Sequence, residues 1–262
     1  MDAQTFLGLQ PTHNPRRWVL PVTSGVCGGS GQLFGGCGLG AAIAVLEATT
    51  GRPLRWANCQ YLAHSAPPEI VDLDVHVSVT GNVVTQARVI GMVADREILH
   101  VQASLGGQAS VFGGVWATMP EVPAPEDCPP RKTPHHLPGT FSSRVEQRVA
   151  IGQWGKVRRS TGGRTALWVR LPGELGSDAA GLGVIGDFVP SGVAAALEAN
   201  AGGRSLDNTL RVVRLVETEW VLCDIHVQAV AGGFGHGTVY QWAQDGTLLA
   251  IASQTSMVKL RD

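Results

Sequence analysis

Between Val71 and Val79 the chain alternates strictly, with Val71, Leu73, Val75, Val77 and Val79 set against Asp72, Asp74, His76 and Ser78. Successive side chains of a strand point to opposite faces, so this period predicts a half-buried β-strand. Val83–Gly91 and Ile98–Leu105 continue the sheet and are joined through Asp95-Arg96. Gly237–Ala243 and Leu248–Met257 repeat the arrangement, joined through Asp245-Gly246, a strong hairpin signal. Ahead of each strand group runs a stretch of small apolar residues that predicts a helix. The first covers about Gly36–Thr49 and stops at Gly51; the second covers Phe188–Asn200, with Gly202-Gly203 as its C-cap. Arg144–Ile151 and Thr165–Leu171 read as strands before the second helix.

The two groups are copies of one unit. Val71, Asp74, His76, Val77, Val89, Asp95 and Leu99 recur 150 positions later as Val221, Asp224, His226, Val227, Val239, Asp245 and Leu249. Asn58 recurs as Asn208 at the same offset. A register held over more than thirty residues marks a duplication, and differences between the copies show where chemistry sits. The copies are separated by Met119–Gly139, whose seven prolines forbid regular helix or central strand. The expected units are therefore 1–118, a proline-rich linker over 119–139, and 140–262, the unit carrying the catalytic set. One Ala-rich helix followed by several antiparallel strands, with no helices between them, excludes a parallel βαβ sheet. The fold class expected is α+β, a double hotdog: two tandem antiparallel sheets, each wrapped around a central helix.

Composition narrows the function classes. With 20 basic and 21 acidic residues and no block of like charge, neither nucleic acid nor an anionic membrane surface is an expected partner. The 44% of apolar residues describes a chain with much buried surface. Met1–Thr12 lacks a basic stretch followed by an apolar run, and Gly38–Ala48 is too short to span a bilayer and carries Glu47. Five cysteines without a CxxC read as reduced core thiols of a cytoplasmic protein.

Several motifs fail on inspection. Gly36-Cys37-Gly38-Leu39-Gly40-Ala41 matches the GxGxxA dinucleotide pattern but leads into an antiparallel meander; its glycines are expected to let the helix start pack closely on the sheet. There is no GxSxG elbow, no HExxH and no Cys/His cluster of zinc spacing, so neither metal nor cofactor is expected. His135-His136 in the linker reads as solvent-exposed. His76 and His226, kept in both copies, read as structural strand histidines.

The informative differences are three. Asp187 opens the second helix, where the first copy has Gly36 or Cys37; an ordinary helix N-cap is the plain alternative for it. Ser205 stands where the first copy has Arg55, and Gln254 where it has Ser104. A glutamine among apolar strand residues needs hydrogen-bond partners, which favours a polar site there.

With these residues the sequence resembles the acyl-CoA thioesterase II family of double-hotdog thioesterases. Gly31-Gln32-Leu33-Phe34-Gly35 resembles its glycine-rich approach to the first helix, and Leu167-Trp168-Val169-Arg170 its strand before the second. Asp187-Phe188, Ser205-Leu206-Asp207 and Ala252-Ser253-Gln254 resemble the stretches carrying its Asp, Thr/Ser and Gln. The resemblance implies hydrolysis of acyl-CoA by water oriented at Asp187, Ser205 and Gln254, without a cofactor, in a homo-oligomer. Asn208 departs from the family's usual His, Thr209 and Leu210 replace aromatic and basic residues, and Gly232-Gly233 alters a strand connection. Two alternatives accompany this reading. One is a catalytically idle double hotdog that binds acyl thioesters or a protein. The other is an enoyl-thioester hydratase, suggested by Gly186-Asp187-Phe188-Val189-Pro190 but lacking its histidine, since Gly192 occupies that place.

Overall fold

The computed structural model describes residues 1–108, 112–131, 139–154, 159–173 and 175–260. His135-His136 lies outside them. A short helix α1 (Ala3–Leu7) and strands β1 (Gln10–Pro11) and β2 (Arg17–Pro21) precede the long helix α2 (Gly35–Thr50). Strands β3 (Leu54–Tyr61), β4 (Ile70–Thr80), β5 (Val84–Val93) and β6 (Arg96–Gly106) follow it. The second repeat begins with α3 (Phe141–Arg144), β7 (Glu146–Ile151) and β8 (Arg164–Arg170), then α4 (Ala179–Ile185) and α5 (Val189–Ala196). It closes with β9 (Ala201–Ser205), β10 (Asp207–Val212), β11 (Val221–Ala231), β12 (Phe234–Ala243) and β13 (Leu248–Leu260).

All strand pairings are antiparallel and join one large sheet, ordered β1-β2-β4-β5-β6-β3-β10-β13-β12-β11-β8-β7, with β9 on β13. The repeats meet where β3 pairs with β10. There Asn58 lies opposite Thr209 and Asn208 opposite Cys59, as expected when a two-fold relation exchanges positions 150 apart. Irregularities repeat as well. The β4–β5 register shifts at Val77/Val79 and the β11–β12 register at Val227/Ala229; further shifts fall at Gly91/Met92 and Gln241/Trp242. The first of these bulges turns Val79 outward, 57% exposed, so the alternation read from Val71 keeps its inward face only as far as Val77.

Inside the sheet, α2 lies on β3–β6 and α5 on β8, β9 and β11–β13, while α2 and α4 pack directly on each other. α2 is apolar nearly all round because it has sheet on one side and a helix on the other. It stops where expected, at Gly51, whose left-handed backbone (φ 64°) lets its N–H reach Glu47 O. The glycines of Gly36-Cys37-Gly38-Leu39-Gly40 serve two surfaces. Gly38 faces Leu99 of the sheet, but Gly36 and Gly40 face α4, where a Cβ would come within 2.0 Å of Val184 O and 2.8 Å of Ala180 O. The expected packing on the sheet is thus only half of their role.

The second helix departs from the sequence reading. Read over Phe188–Asn200, it is α5 over Val189–Ala196 and ends earlier. A further helix, α4, precedes it unforeseen, separated at Gly186-Asp187-Phe188 because Pro190, near the start of α5, has no N–H to continue a helix and would clash one turn back. Gly202-Gly203 is not a C-cap: both residues lie in β9, paired with β13. Residues 179–196 together have the length and apolarity of a membrane span, yet 83% of them are buried within the protein. That is the character of a core element.

The described part of the proline-rich segment, residues 119–131, is packed against the outer face of the second repeat. Trp168 Nε1 donates to Pro123 O at 3.0 Å, and Cys128 is buried with Trp168, Trp220 and Trp242. On the same face Arg164 forms a fork onto Asp224, with contacts of 2.7 and 2.8 Å, and His226 Nε2 lies 2.9 Å from Asp224 Oδ2. Asp74, the first-repeat equivalent, pairs with Arg17 in the open. All five cysteines are buried free thiols.

Candidate active site

The break between α4 and α5 sets Asp187 at the centre of the molecule, 5% exposed. It does not cap its own helix. Its Oδ2 accepts the Gly36 N–H at 2.8 Å, on the first turn of α2 in the other repeat. Phe34, the N-cap of α2, offers no side-chain bond, so Asp187 satisfies an amide that the local sequence leaves open. The positive end of a 16-residue helix favours the carboxylate at this point.

The other two predicted residues converge on the same group. Ser205, at the end of β9, donates its hydroxyl to Asp187 Oδ1 at 2.8 Å. Gln254, on the inner face of β13, donates through Nε2 to Asp187 Oδ1 and, at 2.7 Å, to Ser205 Oγ. Asp187, Ser205 and Gln254 therefore form one closed set of hydrogen bonds. Gln254 Oε1 has no protein partner although it is buried, so this acceptor is still open. Burial pushes the Asp187 carboxyl up to about 6, against the opposing pull of Gln254, Ser205 and the Gly36 amide.

Sequence reasoning missed the contribution of the first repeat. Gly36 provides an amide, and Tyr61 from the end of β3 lines the same space with its hydroxyl buried and unpartnered. Burial raises the Tyr61 phenol well above its ordinary value, so at neutral pH it is a hydrogen-bond donor and not a base. The legible trace of this was the glycine-rich start of α2.

Asp187, Ser205 and Tyr61 open onto a cavity of about 380 Å³. One wall is aromatic: Phe34 stacks on Phe141 with centroids 4.7 Å apart, and Phe188 lies beside them. Arg204 and His64 stand at a more exposed part of the lining. Partial burial, with the nearby Arg204 and Arg96 guanidiniums, pushes the His64 imidazole down. Among the described residues no group of three or more His, Cys, Asp or Glu side chains could hold a metal ion.

The duplicated half has no equivalent site, for visible reasons. Cys37 stands at the position of Asp187, Arg55 at that of Ser205 and Ser104 at that of Gln254. Before α2, in the first repeat, the chain is a loop whose Gly28, Phe34 and Gly35 line the cavity, whereas the counterpart before α5 is α4, packed against α2.

A family model described as the acyl-CoA thioesterase C-terminal domain matches residues 125–258. A protein from Novosphingobium aromaticivorans assigned as a thioesterase is 32% identical, with 96% of this chain and 98% of that one covered at a TM-score of 0.86. The chain belongs to the acyl-CoA thioesterase family. A hot dog fold protein of unknown function from Alicyclobacillus acidocaldarius, 18% identical, covers 99% of this chain and 98% of its own at a TM-score of 0.87. An acyl-CoA thioesterase II from Mycobacterium marinum, 17% identical, covers 100% and 99% at 0.76. These two show the hotdog fold alone. No protein of curated function matches the sequence.

Proposed function

We propose that this protein is a double-hotdog acyl-CoA hydrolase that cleaves the thioester with water activated at Asp187. The observation that carries the reading is the buried Asp187 carboxylate, held on three sides by the Gly36 amide, Ser205 and Gln254, with a carboxyl raised to about 6. A base works best when its pKa lies near the working pH, and a positioned one contributes typically ~10²–10⁴-fold.

The chemistry balances without a covalent enzyme intermediate. A water oxygen attacks the thioester carbonyl carbon while one of its protons passes to Asp187. The tetrahedral intermediate collapses, the C–S bond breaks, and the thiolate of coenzyme A recovers the proton from Asp187. Ser205 and the Gln254 amide group hold the carboxylate in place, and the open Gln254 Oε1 is suited to accept the water's second proton in a hydrogen bond. Arg204, at the rim of the cavity, suits the anionic coenzyme. The cytoplasm, where acyl-CoA is made and used, and a homo-oligomer complete the proposal.

The hydratase reading lacks its base: Gly192 replaces the histidine, and a Cβ there would press to 2.7 Å on Ile225. Acyl-CoA and enoyl-CoA offered in ¹⁸O-labelled water separate the readings. Hydrolysis gives free thiol and one label in the acid. Hydration without thiol release would indicate the hydratase, and binding without either product the idle protein.

A further inference from the structure

α2 presents two bare backbone positions to the cavity, Gly35 and Gly38. Gly35 marks the level of the reaction, since a Cβ there would lie 2.6 Å from Asp187 Oδ2 and 3.0 Å from Tyr61 Cζ. Gly38 lies three residues further along the helix, about 4.5 Å of rise. There the space closes. A Cβ on Gly38 would lie 2.9 Å from Leu99 Cδ2 and 3.9 Å from Leu33 Cδ2. Leu99 is 1% exposed and part of the main core, so packed protein backs this wall. Of the described residues lining the cavity, none belongs to α2 beyond Gly38.

An extended acyl chain advances ~1.3 Å per C–C bond, so about four carbons span the rise from Gly35 to Gly38. Part of the lining is polar, with Arg131, Gln147 and Ser191, where Arg131 Nη1 donates to Gln147 Oε1 at 2.5 Å and Nη2 to Ser191 Oγ at 3.3 Å. Covering such polar groups with methylenes strips them of water without replacing its hydrogen bonds. The whole cavity, about 380 Å³, sits at the small end of ordinary ligand sites (~300–1,000 Å³) and has to admit the thioester and adjoining arm as well.

We propose that the site selects short acyl thioesters, with acyl groups of about two to six carbons, and that Gly38, Leu99 and Leu33 set the limit. The assignment rests on the thioesterase reading for its orientation, with the acyl group directed from Asp187 along α2.

The test is calorimetric binding of non-hydrolysable S-alkyl-CoA thioethers, C2 to C16, beside kcat/KM for the matching acyl-CoA esters. Affinity and kcat/KM are expected to peak near C4–C6 and fall on the order of 10-fold or more by C10. Leu33→Ala should move the optimum to longer chains, and Gly38→Ala should lose butyryl before acetyl. Leu33 is only partly buried, so its variant remains informative if Gly38→Ala fails to fold. Wild-type preference for C12–C16, or no thioether binding at any length, would overturn the short-acyl assignment. So would an optimum that Leu33→Ala leaves in place. Length-selective thioether binding without thiol release from any ester would instead overturn the hydrolase and leave the short-acyl pocket standing.

Discussion

The carboxylate of Asp187 caps a helix that belongs to the other repeat, accepting the Gly36 N–H at 2.8 Å across the centre of the molecule. One contact thereby joins the two copies, fills an open amide of α2 and fixes the only predicted base. Its geometry depends on α2 approaching α4 with no side chains between them at Gly36 and Gly40.

Gly36→Ala tests that approach. The added methyl would stand 2.0 Å from Val184 O, a backbone atom within α4 that cannot rotate aside. The expected cost is ~1–3 kcal/mol or more, read as a lower urea midpoint, with activity falling alongside as the amide is displaced from Asp187. An unchanged midpoint would mean that the helices have freedom the packing denies them.

Ser205→Ala and Gln254→Ala remove donors from the carboxylate and leave the base in place. Each should lower kcat by on the order of 10-fold or more and push the Asp187 pKa upward, since each lost bond favoured the charged form. The pH–rate profiles of both variants would show the ascending limb moved to higher pH. A limb that stays put would separate these residues from Asp187.

Asp187 also makes stability depend on pH. Its folded pKa, about 6, lies above the ordinary 3.8, so the folded state holds the proton more tightly. The stability this gives is fully present below 3.8 and is lost as pH rises through about 6, to a total of about 3 kcal/mol. Asp187→Asn does not titrate. Its stability relative to the wild type should therefore improve between pH 4 and 6.5 and then level off, as followed by urea denaturation across that range. A constant difference would contradict the buried-carboxylate account.

The paired aspartates of the repeat provide an internal comparison. Asp224 has a side chain 2% exposed under Arg164, whereas Asp74 and Arg17 are 29% and 59% exposed. Asp224→Ala should cost about 3 kcal/mol, because it strands a half-buried guanidinium, and Asp74→Ala less than ~1 kcal/mol. Equal effects in urea denaturation would show that burial is not what distinguishes the two.

The sequence carried the fold's main outline because that outline is written locally. Alternation from Val71, the turn at Asp245-Gly246 and the stop at Gly51 each reflect backbone chemistry within a few residues. The three candidate residues stood out for another reason: the first repeat serves as a reference in which Cys37, Arg55 and Ser104 mark the same places. What escaped was decided at long range. α4 is a run of small residues with two glycines, a weak helix former by itself, held helical by Asp178 capping Ala180 N–H and by packing on α2. Gly202-Gly203 resembles a C-cap until β13 pairs with it. Tyr61 gives no local sign of function, because only the pairing of β3 with β10 brings the end of its strand to the second repeat.

Thiol release from a short acyl-CoA by the wild type and by Asp187→Asn, measured side by side at pH 7.5, tests the central claim most directly. The account predicts steady release by the wild type and a fall of ~10²-fold or more in the variant, with thioether-analogue binding retained. Full turnover by Asp187→Asn would contradict it.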